Sequence, residues 1–198
     1  AGGSGRGFEN LESLLKSIER KYGKVEAVYH YGTETENHLI VVRYLPKDDP
    51  EHKKFWQTRR EGGRYYYGAP PKPHPLYRRD LIATAETVLV LEGEKCVIAV
   101  NELNLPGIAA TTSPGGGNGA ILRDGTITAD WSPLQGRHVI VWPDGDDTGA
   151  GYRDAVLQCL QTLPTPPTEI LEICPADLGL SGKQDVVDYL ESGRTLQD

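Results

Sequence analysis

The chain has 198 residues, with 21 Lys and Arg against 28 Asp and Glu, and a formal charge of −7. With 38% hydrophobic and 25% charged residues, it has the composition of a soluble protein able to bury a core, as one domain or one domain with a small appendage. No run approaches the roughly 20 apolar residues of a membrane span, and the chain opens without the apolar stretch of a signal peptide. Membrane and secreted classes are therefore disfavoured and a cytoplasmic protein is expected.

Ala1-Gly2-Gly3-Ser4-Gly5 reads as a flexible linker, and residues 1–7 are set apart from the fold. Phe8, Leu11, Leu14, Leu15, Ile18 and Tyr22 recur at helical spacing, which predicts a helix over 8–22 ended by Gly23. Alternation then predicts strands over 25–31 and 38–44 around a polar turn at Gly32–Asn37. Two shorter strands are expected at 54–58 and 63–67. They complete a small antiparallel sheet.

The stretch Ala69-Pro70-Pro71-Lys72-Pro73-His74-Pro75 cannot continue a helix or a central strand and marks a connector. Beyond it the pattern becomes α/β, with strands predicted over 87–91, 108–112, 137–142 and 169–173. Helices are predicted over 94–103, 148–163 and 184–191. Strands alternating with helices imply a parallel sheet with crossover connections. The expected organisation is a basic N-terminal α+β subdomain with antiparallel strands over 8–80, then a Rossmann-like parallel-sheet domain over 81–198.

Ligands of open α/β sheets bind beyond the carboxyl ends of the strands. The first parallel strand runs into Glu92-Gly93-Glu94-Lys95, and the third into Pro143-Asp144-Gly145-Asp146-Asp147-Thr148-Gly149. The fourth leads to Gly182-Lys183-Gln184-Asp185-Val186-Val187-Asp188, and the second into the glycine-rich Ser113–Gly119. Carboxylates gathered at one sheet edge repel one another unless a cation lies between them, and hard oxygen donors suit Mg²⁺ or Mn²⁺. Read alone, Asp144, Asp146 and Asp147 fit equally well as turn and N-cap residues before Thr148. Glu92, after a hydrophobic strand, tips the balance towards metal.

Gly115, Gly116 and Gly117 offer backbone N–H groups to a phosphate, or simply form a mobile loop. Lys95 and Lys183 are placed to pair with the carboxylates or to touch phosphate. Cys96, Cys159 and Cys174 are far apart and form no Cys-x-x-Cys pair, so a thiolate zinc site is not expected and structural roles are. The histidines show no ligand spacing.

Against the acidic average stands one basic segment. Lys53, Lys54, Arg59, Arg60, Arg64, Lys72, Arg78 and Arg79 lie between 53 and 79, with Glu61 the only acid. Interleaved with Phe55, Trp56 and Tyr65–Tyr67, they are expected to track a nucleic-acid strand by charge and stacking. The alternative is that Trp56 and the tyrosines fill the small sheet's core while the arginines are solvated.

Val88-Leu89-Val90-Leu91-Glu92-Gly93-Glu94-Lys95, followed by Val139-Ile140-Val141-Trp142-Pro143-Asp144-Gly145-Asp146, resembles the TOPRIM domain of topoisomerases, primases and certain nucleases. With Pro75-Leu76-Tyr77-Arg78 ahead of it, the chain is most similar to the primase part of phage and plasmid primase–helicases, over about Val25 to Leu190. The resemblance implies Glu92 as general acid/base or ligand, Asp144 and Asp146 as metal ligands and catalytic residues, and Asp185 and Asp188 as a further acidic pair. It departs at Cys96, where bacterial primases carry an aspartate; a thiol does not favour Mg²⁺, so that either the metal cluster is smaller or Glu94 compensates.

The expected function is primer synthesis from nucleoside triphosphates on single-stranded DNA, a nucleotidyl transfer with Mg²⁺ or Mn²⁺. Lys53, Lys54, Trp56, Arg59, Arg60, Arg64, Arg78 and Arg79 are expected to grip the strand. The 198 residues hold neither a zinc-ribbon cysteine set nor a P-loop, so a replicative helicase, in the same protein or as a partner, is also expected. A TOPRIM nuclease and a non-catalytic nucleic-acid-binding module of a replication protein are the alternatives.

Overall fold

In a computed structural model the described residues are 7–33 and 38–196. The linker at 1–5 and the tip of the Gly32–Asn37 turn lie outside them. The chain divides into two compact units, residues 1–72 and 73–198.

The first unit opens with helix α1 (Leu11–Lys21), started by Asn10, whose side chain accepts from Ser13 N at 2.8 Å. Glu12 in the first turn and Arg20 and Lys21 in the last complement the helix dipole. Phe8 carries the helical spacing but is not helical. Its backbone pairs with Tyr65 in an isolated bridge, so the helix starts three residues later than the apolar pattern suggests.

Strands β1 (Gly23–Tyr31), β2 (Leu39–Pro46), β3 (Lys54–Glu61) and β4 (Arg64–Tyr67) follow in an antiparallel meander, β1-β2-β3-β4. Gly23 begins β1 rather than capping α1. At φ +151° it lies so close to β2 that a Cβ would be 1.9 Å from the Leu45 carbonyl oxygen. Register aligns Val28, Val42 and Trp56 on one face, where Leu14 and Ile18 of α1 seal a core with Ile40 and Val42. Fully burying each such aliphatic side chain contributes about 1.5–3 kcal/mol.

The second unit starts inside the proline tract, at Pro73 rather than after residue 80. His74 N donates to Thr128 O at 2.8 Å, Tyr77 N to Thr112 O at 3.0 Å, and Leu76 enters the unit's core. A single-turn helix α2 (Arg79–Ile82), absent from the sequence-based expectations, precedes the parallel sheet.

The sheet comprises β5 (Thr87–Leu91), β6 (Ile108–Thr111), β7 (His138–Trp142) and β8 (Glu169–Glu172), ordered β6-β5-β7-β8 and parallel throughout. Helices α3 (Glu94–Glu102), α4 (Asp147–Gln161) and α5 (Val186–Glu191) complete it. Val88, Val90, Val139 and Val141 alternate onto one face, against Tyr152, Val156, Cys159 and Leu160 of α4. Each of the eight strands expected from the sequence forms, and the antiparallel subdomain followed by a parallel-sheet domain is the observed fold. Among the described residues, no helix is long and apolar enough to cross a membrane.

Candidate metal centre at the carboxyl edge of the parallel sheet

Strand order reverses between β5 and β7, because the chain leaves β5 for β6 on one side and returns to β7 on the other. A crevice at the carboxyl ends belongs at such a point. Glu92 follows β5 directly, and Asp144 stands two residues beyond β7.

Three donors converge here. One ligand atom each from Cys96, Asp144 and Asp185 all lie within 4.8 Å of one another, the one group of its kind among the described residues. Cys96 sits in the first turn of α3 and is 5% exposed. Burial pushes its thiol well above the usual range, and the charges of Asp185 and then Asp144, with a hydrogen bond to Asp185, push the same way. The donor set of two carboxylates and a thiol is compatible with a divalent metal.

Local geometry explains how the loops meet. Gly145 N donates to Gln184 O at 3.0 Å, tying the Asp-Gly-Asp loop to the segment that carries Asp185. A Cβ on Gly145 would lie 3.1 Å from Gly182 O, so the two loops pack backbone to backbone. Asp185 is also the N-cap of α5, accepting from Val187 N at 2.7 Å and Asp188 N at 3.3 Å.

The five carboxylates expected at a metal do not form one cluster. Asp146 caps α4, its Oδ1 accepting from Gly149 N at 2.9 Å, so the capping alternative describes Asp146 while Asp144 joins the donor group. Asp188 closes a capping box, its Oδ2 accepting from Asp185 N at 2.9 Å. Glu92 lies outside the three-donor group, against the glycine-rich loop. A Cβ on Gly117 would be 2.5 Å from Glu92 Oε1 and 2.4 Å from Thr148 Cγ2. Glu94 is buried in the first turn of α3 and is not part of the donor group.

Gly115 and Gly116 take left-handed backbone, φ +99° and +57°, leading into a short 3₁₀ turn at Gly116–Asn118. The loop is braced by Tyr152 of α4, which sequence reasoning missed. Its fully buried hydroxyl sits 3.2 Å from each of Thr112 Oγ1, Ser113 N and Ser113 Oγ. Burial raises its pKa first, against the lowering effect of those bonds. Only the buried face of α4, not any motif, identifies Tyr152. Lys95 and Lys183 are exposed, in the first turn of α3 and the turn before α5.

The basic segment is divided between the two units, Lys53 to Lys72 in the first and Arg78 and Arg79 in the second. Trp56 is not presented to solvent for stacking. Its ring stacks on Tyr22 at 4.7 Å and meets Tyr67 edge-on at 5.9 Å, inside the α1-facing core. The exposed aromatic of β3 is Phe55, at 47%, next to exposed Lys53 and Lys54.

The arginines are engaged locally. Arg59 donates to Tyr67 O and Glu61 at 3.0 Å each and lies over the Tyr66 ring, while Arg60 lies over Tyr65. Arg64 donates to Gly7 O at 2.8 Å, Arg78 pairs with Asp80 at 3.2 Å, and Arg79 pairs with Asp130 at 3.4 Å.

No family model matches the chain, and no curated protein matches it. Among solved structures, the primase fragment of the bacteriophage T7 primase–helicase protein aligns over 98% of this chain and 77% of its own, at 16% identity and a TM-score of 0.45. A chain from the bacteriophage T7 lagging-strand DNA polymerase interacting with primase domains bound to an RNA/DNA hybrid and dTTP aligns over 84% and 71%, at 18% identity and a TM-score of 0.47.

Proposed function

We propose that the chain is a metal-dependent nucleotidyltransferase of the TOPRIM primase type, joining nucleoside triphosphates into short primers on single-stranded DNA. The observation that carries the reading is the convergence of Asp144 and Asp185 at the strand-order reversal, with Glu92 at the end of the strand paired to β7 and against the glycine-rich loop. Two carboxylates drawn this close favour a cation between them, and a cation there would offset the charge of a triphosphate.

In this reading Asp144 and Asp185 hold a divalent ion, Mg²⁺ or Mn²⁺ being the first to test. Such an ion neutralises phosphate charge and polarises the attacking hydroxyl when bound. Glu92 Oε1, against Gly117, accepts the proton of the attacking hydroxyl. Backbone N–H groups of Gly115–Gly117, with Lys95 and Lys183, receive the triphosphate. Asp146 and Asp188 keep the two ligand loops in shape through their caps. The exposed edge at Lys53, Lys54 and Phe55 meets the template, and a replicative helicase supplies unwinding.

The test is primer synthesis on mixed-sequence single-stranded DNA with labelled NTPs or dNTPs and Mg²⁺ or Mn²⁺, beside a lane without nucleotides. Short metal-dependent products, lost in Asp144→Asn and Asp185→Asn, are the expected result. Template degradation in the nucleotide-free lane would make the protein a nuclease. DNA binding with silence in both lanes would make it a binding module.

A further inference from the structure

We propose that Cys96 is itself a metal ligand, and that the Cys96, Asp144 and Asp185 group takes a borderline-soft first-row cation, Zn²⁺ or Co²⁺, in preference to Mg²⁺. The inference rests on reading this sheet edge as a cation site and narrows the class of cation.

The donor set is two carboxylates and a thiol, not oxygen alone. Mg²⁺ demands near-octahedral oxygen donors and gives up its waters reluctantly, whereas thiolate sulfur selects Zn²⁺ and its neighbours in the series. Sulfur here is not peripheral. It is one of the three atoms that meet within 4.8 Å, and the Cys96 side chain is buried with both carboxylates beside it. An ion that used only Asp144 and Asp185 would still have the thiol against it. Around a tetrahedral zinc, bonds of about 2.0–2.2 Å to oxygen and 2.3 Å to sulfur set donors roughly 3.3–3.7 Å apart, within the reach of the observed group after small side-chain adjustments.

Coordination breaks the S–H bond and forms a sulfur–metal bond, and the proton leaves to the solvent. No electron is transferred.

The test uses the full chain with Cys174→Ser, which removes the exposed thiol and leaves Cys159 buried. Co²⁺ is added and the near-ultraviolet thiolate-to-cobalt absorption is followed, with calorimetry in two buffers to count protons released. The expected result is an intense charge-transfer band, one proton released per ion, and Co²⁺ bound more tightly than Mg²⁺. Losing even an outer partner of a metal ligand costs about 10–100-fold in affinity, so Cys96→Ser is expected to lose at least that for Co²⁺, with the band and the proton release. Cys96→Asp is expected to restore binding without the band and to shift preference towards Mg²⁺.

Co²⁺ binding that needs Asp144 and Asp185 but shows no band, and is unchanged in Cys96→Ser, would overturn the thiol ligand while leaving the cation site standing. Co²⁺ binding indifferent to Asp144→Asn and Asp185→Asn would overturn both.

Discussion

Gly149 and Asp144 approach so closely that a Cβ on Gly149 would stand 2.2 Å from the Asp144 carbonyl oxygen and 2.8 Å from its amide nitrogen. The first turn of α4 is thus packed onto the backbone that carries the Asp144 carboxylate. Gly151, two residues further along the same helix, has nothing within 4 Å of the equivalent position. Gly151→Ala is expected to stabilise the protein by about 0.5–1 kcal/mol, the ordinary gain of alanine over glycine in a helix. Gly149→Ala is expected to destabilise it by about 1–3 kcal/mol through overpacking and to weaken divalent-ion binding. Urea denaturation and metal titration of the two variants check the pair; equal behaviour would remove the steric link to Asp144.

Asparagine caps a helix about as well as aspartate but lacks its charge, which separates capping from ligation. Asp146→Asn is expected to leave stability and metal affinity near those of the parent protein, because its described role is the bond to Gly149 N. Asp185→Asn is expected to keep its stability but to bind metal at least tenfold more weakly, by roughly 1.4 kcal/mol or more. Asp188→Ala is expected to cost about 1 kcal/mol of stability through the lost capping box. A large loss of metal binding in Asp146→Asn would return that residue to the ligand set.

His30 Nδ1 and His38 Nε2 face each other at 3.2 Å across the first hairpin, in spite of their unpromising spacing in the sequence. Burial holds both imidazoles below the usual histidine range, and the charge of His30 lowers His38 further. Each therefore binds fewer protons in the folded than in the unfolded chain once the pH falls below the unfolded value of about 6.5. Their contribution is fully present above that pH and is lost as acidification proceeds towards the folded pKa values. The denaturation midpoint is expected to fall between pH 7 and pH 5, and to fall less in His38→Gln. An identical pH profile in the variant would show that the pair does not set the dependence.

At the start of β3, neighbouring residues are expected to behave in opposite ways. Lys53→Ala with Lys54→Ala should flatten the salt dependence of single-stranded DNA binding by about 0.7 per lysine in log–log slope. Phe55→Ala should cost about 1–3 kcal/mol of binding if a base stacks on it. Trp56→Ala should instead destabilise the first unit by about 3–5 kcal/mol, because it empties the core beside Tyr22 and Tyr67. Fluorescence anisotropy with a labelled oligonucleotide, beside thermal unfolding, distinguishes binding from stability.

The strands and the order of the two units were legible in the amino-acid sequence, because alternation and uninterrupted β-branched runs are local signals. The carboxylates at the strand ends were legible too, since a parallel sheet delivers every strand's carboxyl end to one edge. The division at Pro73 was less so. Proline marks a connector without saying which side its neighbours pack on, and here Leu76 enters the second core.

Only the tertiary structure decided which acids meet. Capping bonds take Asp146 and Asp188 by local geometry, whereas Asp144 and Asp185 are brought together by a contact between loops far apart in sequence, from Gly145 N to Gln184 O. Cys96 reads as one more buried thiol until α3 brings its sulfur within 4.8 Å of both carboxylates. Trp56 and Phe55 are adjacent in a basic segment, and only the strand register turns one into α1's core and the other outward. Residue type and spacing specify the elements. The identity of a site depends on distances between residues far apart in the chain, and those arise only when the sheet, its helices and their caps pack together.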